Sequence, residues 1–383
     1  MRVALLTPLP PARTGVAHYA SMLLPALARR AEVRAFASLD GYQRDDFDVA
    51  IYQLGNNPHH EFVYTEAMKH PGIVVLHDLV LHHLIVEMTL ARGDADAYAA
   101  ALAASHGEPG RAWARGRAAG LHNEIGNFLF PASVEIANRS RAVIVHNRYA
   151  ASRLQSFGVT TPIEVIPHPY VPASYPDRSV MRGKLAIPAD ARVIGLFGFL
   201  TSAKRSEVVL QAFADARRRD RSLRLLVVGE AAPNIDVGAM AADGIIFTGY
   251  VPDDEFAAYY AAVDRLVNLR YPTAGETSGT LIRAFDAGRP VAVSNYAQFA
   301  ELPDECVVKI DFGVGEVRAL SDFFTCALDE LAIAAAQRSW LESNARLDLA
   351  VDGYLRVAAG ADARPAARGS ARVRSIPLFP RLA

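Results

Sequence analysis

The stretch Gly275-Glu276-Thr277-Ser278-Gly279, followed by Thr280, brings a carboxylate, hydroxyls and glycines together between an apolar strand end and a helix-like run. Glycines after a strand let the main chain turn and present its N–H groups to a ligand. The first turn of the following helix has unsatisfied N–H groups and a partial positive charge, and a phosphate fits both. Thr277, Ser278 and Thr280 add hydroxyl donors. Glu276 repels a phosphate but suits neutral hydroxyls, such as those of a sugar or ribose. The pattern predicts a ligand with phosphate at one end and hydroxyls nearby. The same letters also serve ordinary helix capping by Ser278 or Thr277. Arg283 reads as a cation in the first turn of that helix. The macrodipole disfavours it there unless an anion or an ion pair compensates.

A second basic element is 197–207, FGFLTSAKRSE, where Gly198 ends a strand and Lys204 and Arg205 open the next helix. Cations at a helix start can hold a diphosphate leaving group without a metal. A plain surface Lys-Arg pair is the simpler alternative. Toward the amino terminus, Gly15 follows a strand and precedes a helix. His77 and Asp78 end the strand GIVVLHD. The position of His77 at a carboxyl edge favours a ligand contact over packing, while Asp78 reads as a cap for the helix after it. His82 and His83 lack a third ligand, so no metal is assigned. The strings Asp46-Phe47-Asp48 and Asp94-Ala95-Asp96 read as chance. Arg111, Trp113, Arg115 and Arg117 cluster in 107–120. They read first as a solvated helix face and second as an acceptor or membrane-surface patch.

These residues need a frame. The chain has 383 residues, enough for about two domains. A formal net charge of −1 excludes nucleic-acid binding driven by the whole molecule's field. Cys306 and Cys326 form no CxxC pair and no zinc spacing, which fits a reducing compartment. The apolar run at 3–6 is too short for a signal sequence. No segment approaches the ~20 apolar residues that span a bilayer. The expectation is a cytoplasmic protein, with peripheral contact on the inner face of the membrane as a further expectation.

Short apolar runs at 3–8, 32–37, 48–54, 72–78, 142–147 and 163–168 alternate with helical patterns, and 81–136 reads as long and helical. A proline-rich stretch, 169–190, reads as a linker. A second set of strands follows at 193–200, 223–230, 244–251, 265–271, 289–295 and 306–311, with helices at 206–219 and 254–264. Such alternation predicts parallel sheets covered on both faces, with ligands beyond the carboxyl ends of the strands. The tail from Gly360 is Arg-rich and reads as disordered or draped on the surface.

Taken in order, PLPPARTG, VVLHD, VIVHNRYAASRL, VIPHP, FGFLTSAKRS, LLVVGE, FTGYVPDDEFAAYYAAVD, GETSG, DAGRPV and ELPD span nearly the whole chain. In this order they resemble a GT-B glycosyltransferase of the large retaining family four. The resemblance implies an α/β fold of two Rossmann-like domains with parallel sheets facing a central cleft. It divides the chain into an acceptor-side domain, 1–168, the linker, and a nucleotide-sugar-binding domain, 191–345. A helix at 346–360 would cross back to the first domain, and a basic tail would follow at 361–383.

The resemblance also implies a retaining transfer of a sugar from a nucleotide-diphosphate sugar to a hydroxyl acceptor, with no metal and no cofactor. The acceptor would be a saccharide or lipid-linked saccharide in bacterial envelope polysaccharide or glycolipid assembly. Lys204 matches the family's phosphate-binding lysine and Glu276 its donor-sugar carboxylate. The backbone of Thr277, Ser278, Gly279 and Thr280 would meet the diphosphate. His77 matches the histidine beside the transferred sugar, and Gly15 the glycine loop near the donor phosphate. Tyr250 and Val251 match the loop beside the base, and Arg205 and Arg283 are counted among the donor-binding groups.

Three positions depart from the family's pattern. Phe199 stands where an arginine is common after Gly198. The second, ribose-binding glutamate falls on Ala284, or on Arg283 if DAGRP sets the alignment. His168 replaces an asparagine. These departures leave the donor nucleotide open. They also keep two alternatives: a nucleotide-sugar epimerase of the same architecture and a non-catalytic sugar-nucleotide-binding protein.

Overall fold

The computed structural model describes residues 1–121, 123–233, 235–240 and 243–362. The chain forms two compact units. Among the described residues the first comprises 1–169, 274–277 and 347–362, and the second comprises 170–273 and 278–346. The Arg-rich tail lies outside the described residues beyond 362.

In the first unit six strands run parallel: β1 (Arg2–Leu6), β2 (Glu32–Phe36), β3 (Val49–Leu54), β4 (Ile73–Leu76), β5 (Ala142–Val145) and β6 (Ile163–Val165). Their spatial order is β2-β1-β3-β4-β5-β6, so every carboxyl end lies along one edge. Side chains alternate between the faces of a strand, and the apolar residues here divide accordingly. Ala4, Leu6, Ala50, Tyr52, Val74, Leu76, Val143 and Val145 enter one core. Val3, Leu5, Val49, Ile51, Ile73, Val75 and Ile144 enter the other. The second core is closed by helices Gly15–Ala28 and Leu347–Asp362, through Tyr19, Leu23, Leu27, Val351, Tyr354 and Ala358. Burying a side chain of Leu or Val size stabilises by about 1.5–3 kcal/mol.

The second unit repeats the scheme with β7 (Val193–Phe197), β8 (Arg224–Val228), β9 (Ile245–Phe247), β10 (Arg265–Asn268), β11 (Val291–Ser294) and β12 (Val308–Ile310). The order is β12-β11-β10-β7-β8-β9, again parallel. Its two faces also bury separate cores, one holding Val193, Leu226, Leu266 and Val293, the other Ile194, Leu225, Val267 and Ala292.

Three local expectations change. The stretch 169–190 is not a bare linker. It contains helix Arg178–Lys184, and Met181 and Ile187 join the second unit's core. Arg182 is buried there, because its guanidinium is met by the carbonyls of Ala262, Ala189 and Ala191 and by Asp264. The expected helix at 254–264 is two short helices, Asp253–Phe256 and Tyr259–Ala262. Helix Ala95–Ala118 is broken at Gly107, where φ is 65°. Among the described residues no helix is long and apolar enough to cross a membrane.

Candidate functional site

In the first unit the carboxyl ends of β4 and β5 each continue into a histidine. Register pairs Leu76 with Val145, so His77 and His146 emerge side by side. Both are buried, at 8% and 6% exposure. Nε2 of His146 lies 3.2 Å from Nδ1 of His77, and Nδ1 of His146 lies 2.8 Å from the Ile166 carbonyl oxygen. Tyr19 packs edge-on against His77 and His168, with ring centroids 4.6 and 5.0 Å away. Its hydroxyl is 2.9 Å from that of Tyr354. Burial depresses His77 well below the usual histidine range, helped by the neighbouring imidazoles, and lowers His146 to about 4. Both rings are therefore neutral at neutral pH.

Asp78 does not cap a helix. The next helix, His82–Met88, begins beyond its reach, and the Asp78 carboxylate accepts instead from the backbone N–H of Asn56, at 2.7 Å. Removal from water raises it to about 7, and the charge of Glu276 adds to the rise. Glu276 belongs to the segment 274–277, which the first unit holds. The Val80 N–H donates to the Ala274 carbonyl at 3.1 Å, and the Asn147 amide donates to the Gly275 carbonyl at 2.9 Å. Gly275 has φ of 76°, and a β-carbon there would lie 2.7 Å from that of Leu79. The glycine before Glu276 thus serves both a left-handed turn and a close approach. Gly15 opens helix Gly15–Ala28, whose Thr14 side chain accepts from the Ala17 N–H.

In the second unit three glycines stack at the ends of β7, β8 and β9. A β-carbon on Gly229 would stand 2.6 Å from the Gly198 carbonyl oxygen. The Gly229 N–H donates to the Gly249 carbonyl at 3.1 Å. Gly198, with φ of 86°, lies between two other groups. Its β-carbon would be 2.9 Å from Nζ of Lys204 and 3.4 Å from Cγ2 of Thr280. The loops carrying Lys204 and Thr280 therefore converge on one glycine. Lys204 is buried, and its ammonium donates to the Phe197 carbonyl. The Tyr271 N–H donates to the Ala203 carbonyl at 2.8 Å, tying the same loop to the chain after β10.

Helix Gly279–Asp286 begins with Ser278 as its cap, accepting from the Leu281 N–H. The hydroxyls of Ser278 and Thr280 both donate to Oδ1 of Asn268, at 3.1 and 3.2 Å. The capping reading of Ser278 is thus realised, and its hydroxyl is engaged inside the protein. The N–H groups of the first turn still point out of the helix start.

Several expected site residues sit differently. Lys204 and Arg205 do not lie inside the helix. Lys204 ends the short turn Ser202–Lys204, and helix Ser206–Arg219 starts after Arg205. Arg205, whose backbone is left-handed (φ 54°), grips Glu316 through two bonds of 2.7 and 2.5 Å. Arg283 falls in the last turn, where a cation is favoured, since the helix is only 8 residues long. Its guanidinium lies 5.2 Å from the Phe256 ring centroid. Val251 is a core residue and Tyr250 is 48% exposed. Ala284 is fully buried, so one of the two positions open to the second glutamate faces the core. Arg117 bonds Asn127, and Trp113 stacks on Phe130, so half of that basic cluster is internal structure. His82 is satisfied by the Phe130 carbonyl and the Tyr98 hydroxyl. Among the described residues no three metal-ligating side chains are gathered.

Sequence reasoning missed His146 and Asn268. The signal for His146 was present: VIVH repeats VVLH, an apolar triplet then histidine at adjacent strand ends. Asn268 is a polar residue closing an apolar strand, buried, with its Nδ2 unpartnered among the described residues.

Residues 191–326 match the glycosyl transferases group 1 family. The chain is 27% identical over 247 residues to 2-deoxystreptamine glucosyltransferase of Streptomyces kanamyceticus, covering 60% of this chain and 57% of that protein. It is 29% identical over 121 residues to alpha-monoglucosyldiacylglycerol synthase of Streptococcus pneumoniae, covering 29% of this chain and 26% of that one. The matched regions thus span little more than half of the first relative and about a quarter of the second. In fold it is similar to Anabaena HepE, solved with UDP-glucose, at TM-score 0.66 and 16% identity, over 94% of this chain and 100% of that one. Two doubly wound parallel sheets of this kind are the GT-B fold, and within it residues 191–326 carry the match to the glycosyl transferases group 1 family.

Proposed function

We propose that this protein is a retaining glycosyltransferase that moves a hexose from a nucleotide-diphosphate sugar to a hydroxyl acceptor. The observation that carries the reading is the convergence of Lys204 and the start of helix Gly279–Asp286 on Gly198. A buried ammonium and a helix amino terminus at one glycine suit a diphosphate, with the missing β-carbon leaving room for it. UDP and glucose are the favoured donor parts. HepE is solved with UDP-glucose, and both curated relatives are named for glucose chemistry.

In the proposed reaction the bond between the anomeric carbon and the phosphate oxygen breaks. The electron pair leaves with the diphosphate, held by Lys204 and the N–H groups of Gly279 and Thr280. Positive charge builds on the sugar ring. The acceptor oxygen attacks from the face the diphosphate leaves, and its proton passes to the departing phosphate oxygen. No metal and no protein base is required. Glu276 and His77 meet hydroxyls of the sugar.

The acceptor is proposed to be a saccharide or lipid-linked saccharide of envelope polymer or glycolipid assembly, at the cytoplasmic face of the membrane. The relatives' names cover an aminocyclitol and a glucosyl lipid. The exposed Leu121, Ile125 and Leu129, close in sequence to Arg111 and Arg115, favour contact with a lipid surface.

Lys204→Ala tests the reading. Sugar transfer or donor hydrolysis should fall about 100-fold, the usual cost of removing a charge-stabilising donor. The folded state should persist by circular dichroism. Rates within a few-fold of the parent would overturn the assignment.

A further inference from the structure

We infer that His146 is a positioning residue: it holds the imidazole of His77 as the Nδ1–H tautomer and so makes Nε2 of His77 an acceptor for a hydroxyl of the bound sugar. This rests on the proposed donor reading, in which His77 meets the sugar, and goes beyond it by assigning a role to His146 and a tautomer to His77.

The argument follows the protons. The Ile166 carbonyl can only accept, so Nδ1 of His146, 2.8 Å away, carries hydrogen. Burial keeps that ring neutral, with one proton, so its Nε2 is a bare lone pair. That lone pair lies 3.2 Å from Nδ1 of His77, which must therefore donate. His77 is neutral as well, which leaves its Nε2 unprotonated. This atom is buried and has no partner among the described residues. A buried acceptor left unpaired is costly, and a ligand O–H would relieve that cost.

The geometry around the pair resists ring rotation. Tyr19 lies against His77, His146 and His168 at centroid distances of 4.6, 5.2 and 5.0 Å. Tyr19 is held in turn by the hydroxyl of Tyr354. An unconstrained histidine side chain favours the opposite, Nε2–H tautomer, so the choice here is imposed by His146. The chemistry also selects what binds. A bare nitrogen lone pair repels a phosphate oxygen and accepts from a hydroxyl, so His77 meets the sugar and not the diphosphate.

The test uses the full chain with 15N-labelled histidine, the His77 signals being assigned through His77→Gln. His146→Phe keeps an aromatic ring beside Tyr19 but removes the acceptor. His146→Gln keeps both functions, its oxygen accepting from His77 and its amide donating to Ile166. In the parent and in His146→Gln, His77 should show a protonated Nδ1 and a bare Nε2. In His146→Phe the tautomer should reverse. Calorimetric affinity for UDP-glucose should then fall about tenfold in the Phe variant, with affinity for UDP unchanged and the Gln variant close to the parent.

A protonated Nε2 on His77 in the parent would overturn the inference. So would an unchanged tautomer in His146→Phe, or equal losses for UDP and UDP-glucose. If His146→Phe fails to fold, the parent and the Gln variant still decide the tautomer. A parent that binds neither UDP nor UDP-glucose would overturn the donor reading instead, and the tautomer would stand or fall on the nitrogen signals alone.

Discussion

At the scale of single residues, the most perturbed acid is Asp78, raised to about 7 by loss of water and by the Glu276 charge. Its unfolded value lies near 4, so the folded protein holds a proton between about pH 4 and 7 that the unfolded chain releases. The stability this gives is present at low pH and lost as pH rises through the folded value. Asp78→Asn removes the titration. The difference in melting temperature, variant minus parent, should therefore climb by about 2–4 °C between pH 5 and 8 and level off above that. The buried histidines His60, His77, His82, His106 and His146, all depressed, titrate alike in both proteins and cancel from the difference. A flat difference across that range, read by scanning calorimetry, would count against a neutral Asp78. The residue scale is also where the sequence was least transparent. His77 was legible because a histidine closing an apolar strand is unusual. Arg283 was misread because its meaning depends on where the helix stops, which the letters leave open. Arg205 was misread because its partner, Glu316, is remote in sequence.

At the scale of elements, β7, β8 and β9 present Gly198, Gly229 and Gly249 at one edge. Gly229 has φ of 135°, and a β-carbon there would meet the Gly198 carbonyl oxygen at 2.6 Å, a main-chain atom that cannot swing aside. Gly229→Ala should cost about 1–3 kcal/mol in urea unfolding. It should also weaken UDP binding, because Gly198 would be driven toward Lys204. Gly15→Ala is the control: nothing stands within 4 Å of its β-carbon, so stability should stay within about 0.5 kcal/mol of the parent. Elements were the most legible level. Among the described residues eleven strands fall inside the apolar runs read from the sequence and β1 begins one residue earlier, at Arg2, because strands buried on both faces are nearly continuous in Val, Ile and Leu. The misses came where prolines and short helices mix, at 169–190 and 254–264. At 169–190 composition signals a loop while packing of Met181 and Ile187 builds a core, and at 254–264 the one helix expected is two short ones around the buried Tyr260.

At the scale of the whole molecule, length alone indicated about two domains, and two cohesive units exist. The return of a late helix to the first unit was implied by the resemblance, but the place of 274–277 in that unit was not legible, since letters do not say which core a segment covers. The chain passes from one unit to the other at 169/170, 273/274, 277/278 and 346/347. Anyone dissecting the protein for expression will meet this directly. A fragment ending at 169 lacks helix Leu347–Asp362, and with it Ala350, Val351, Tyr354 and Ala358 from its own core. That fragment should aggregate, while fusing 347–362 to it through a Gly/Ser tether should restore soluble, cooperatively melting material, as read by size-exclusion chromatography and near-ultraviolet dichroism. A gene cut after residue 169 does not yield a domain; the first unit is finished only by a helix encoded nearly two hundred codons later.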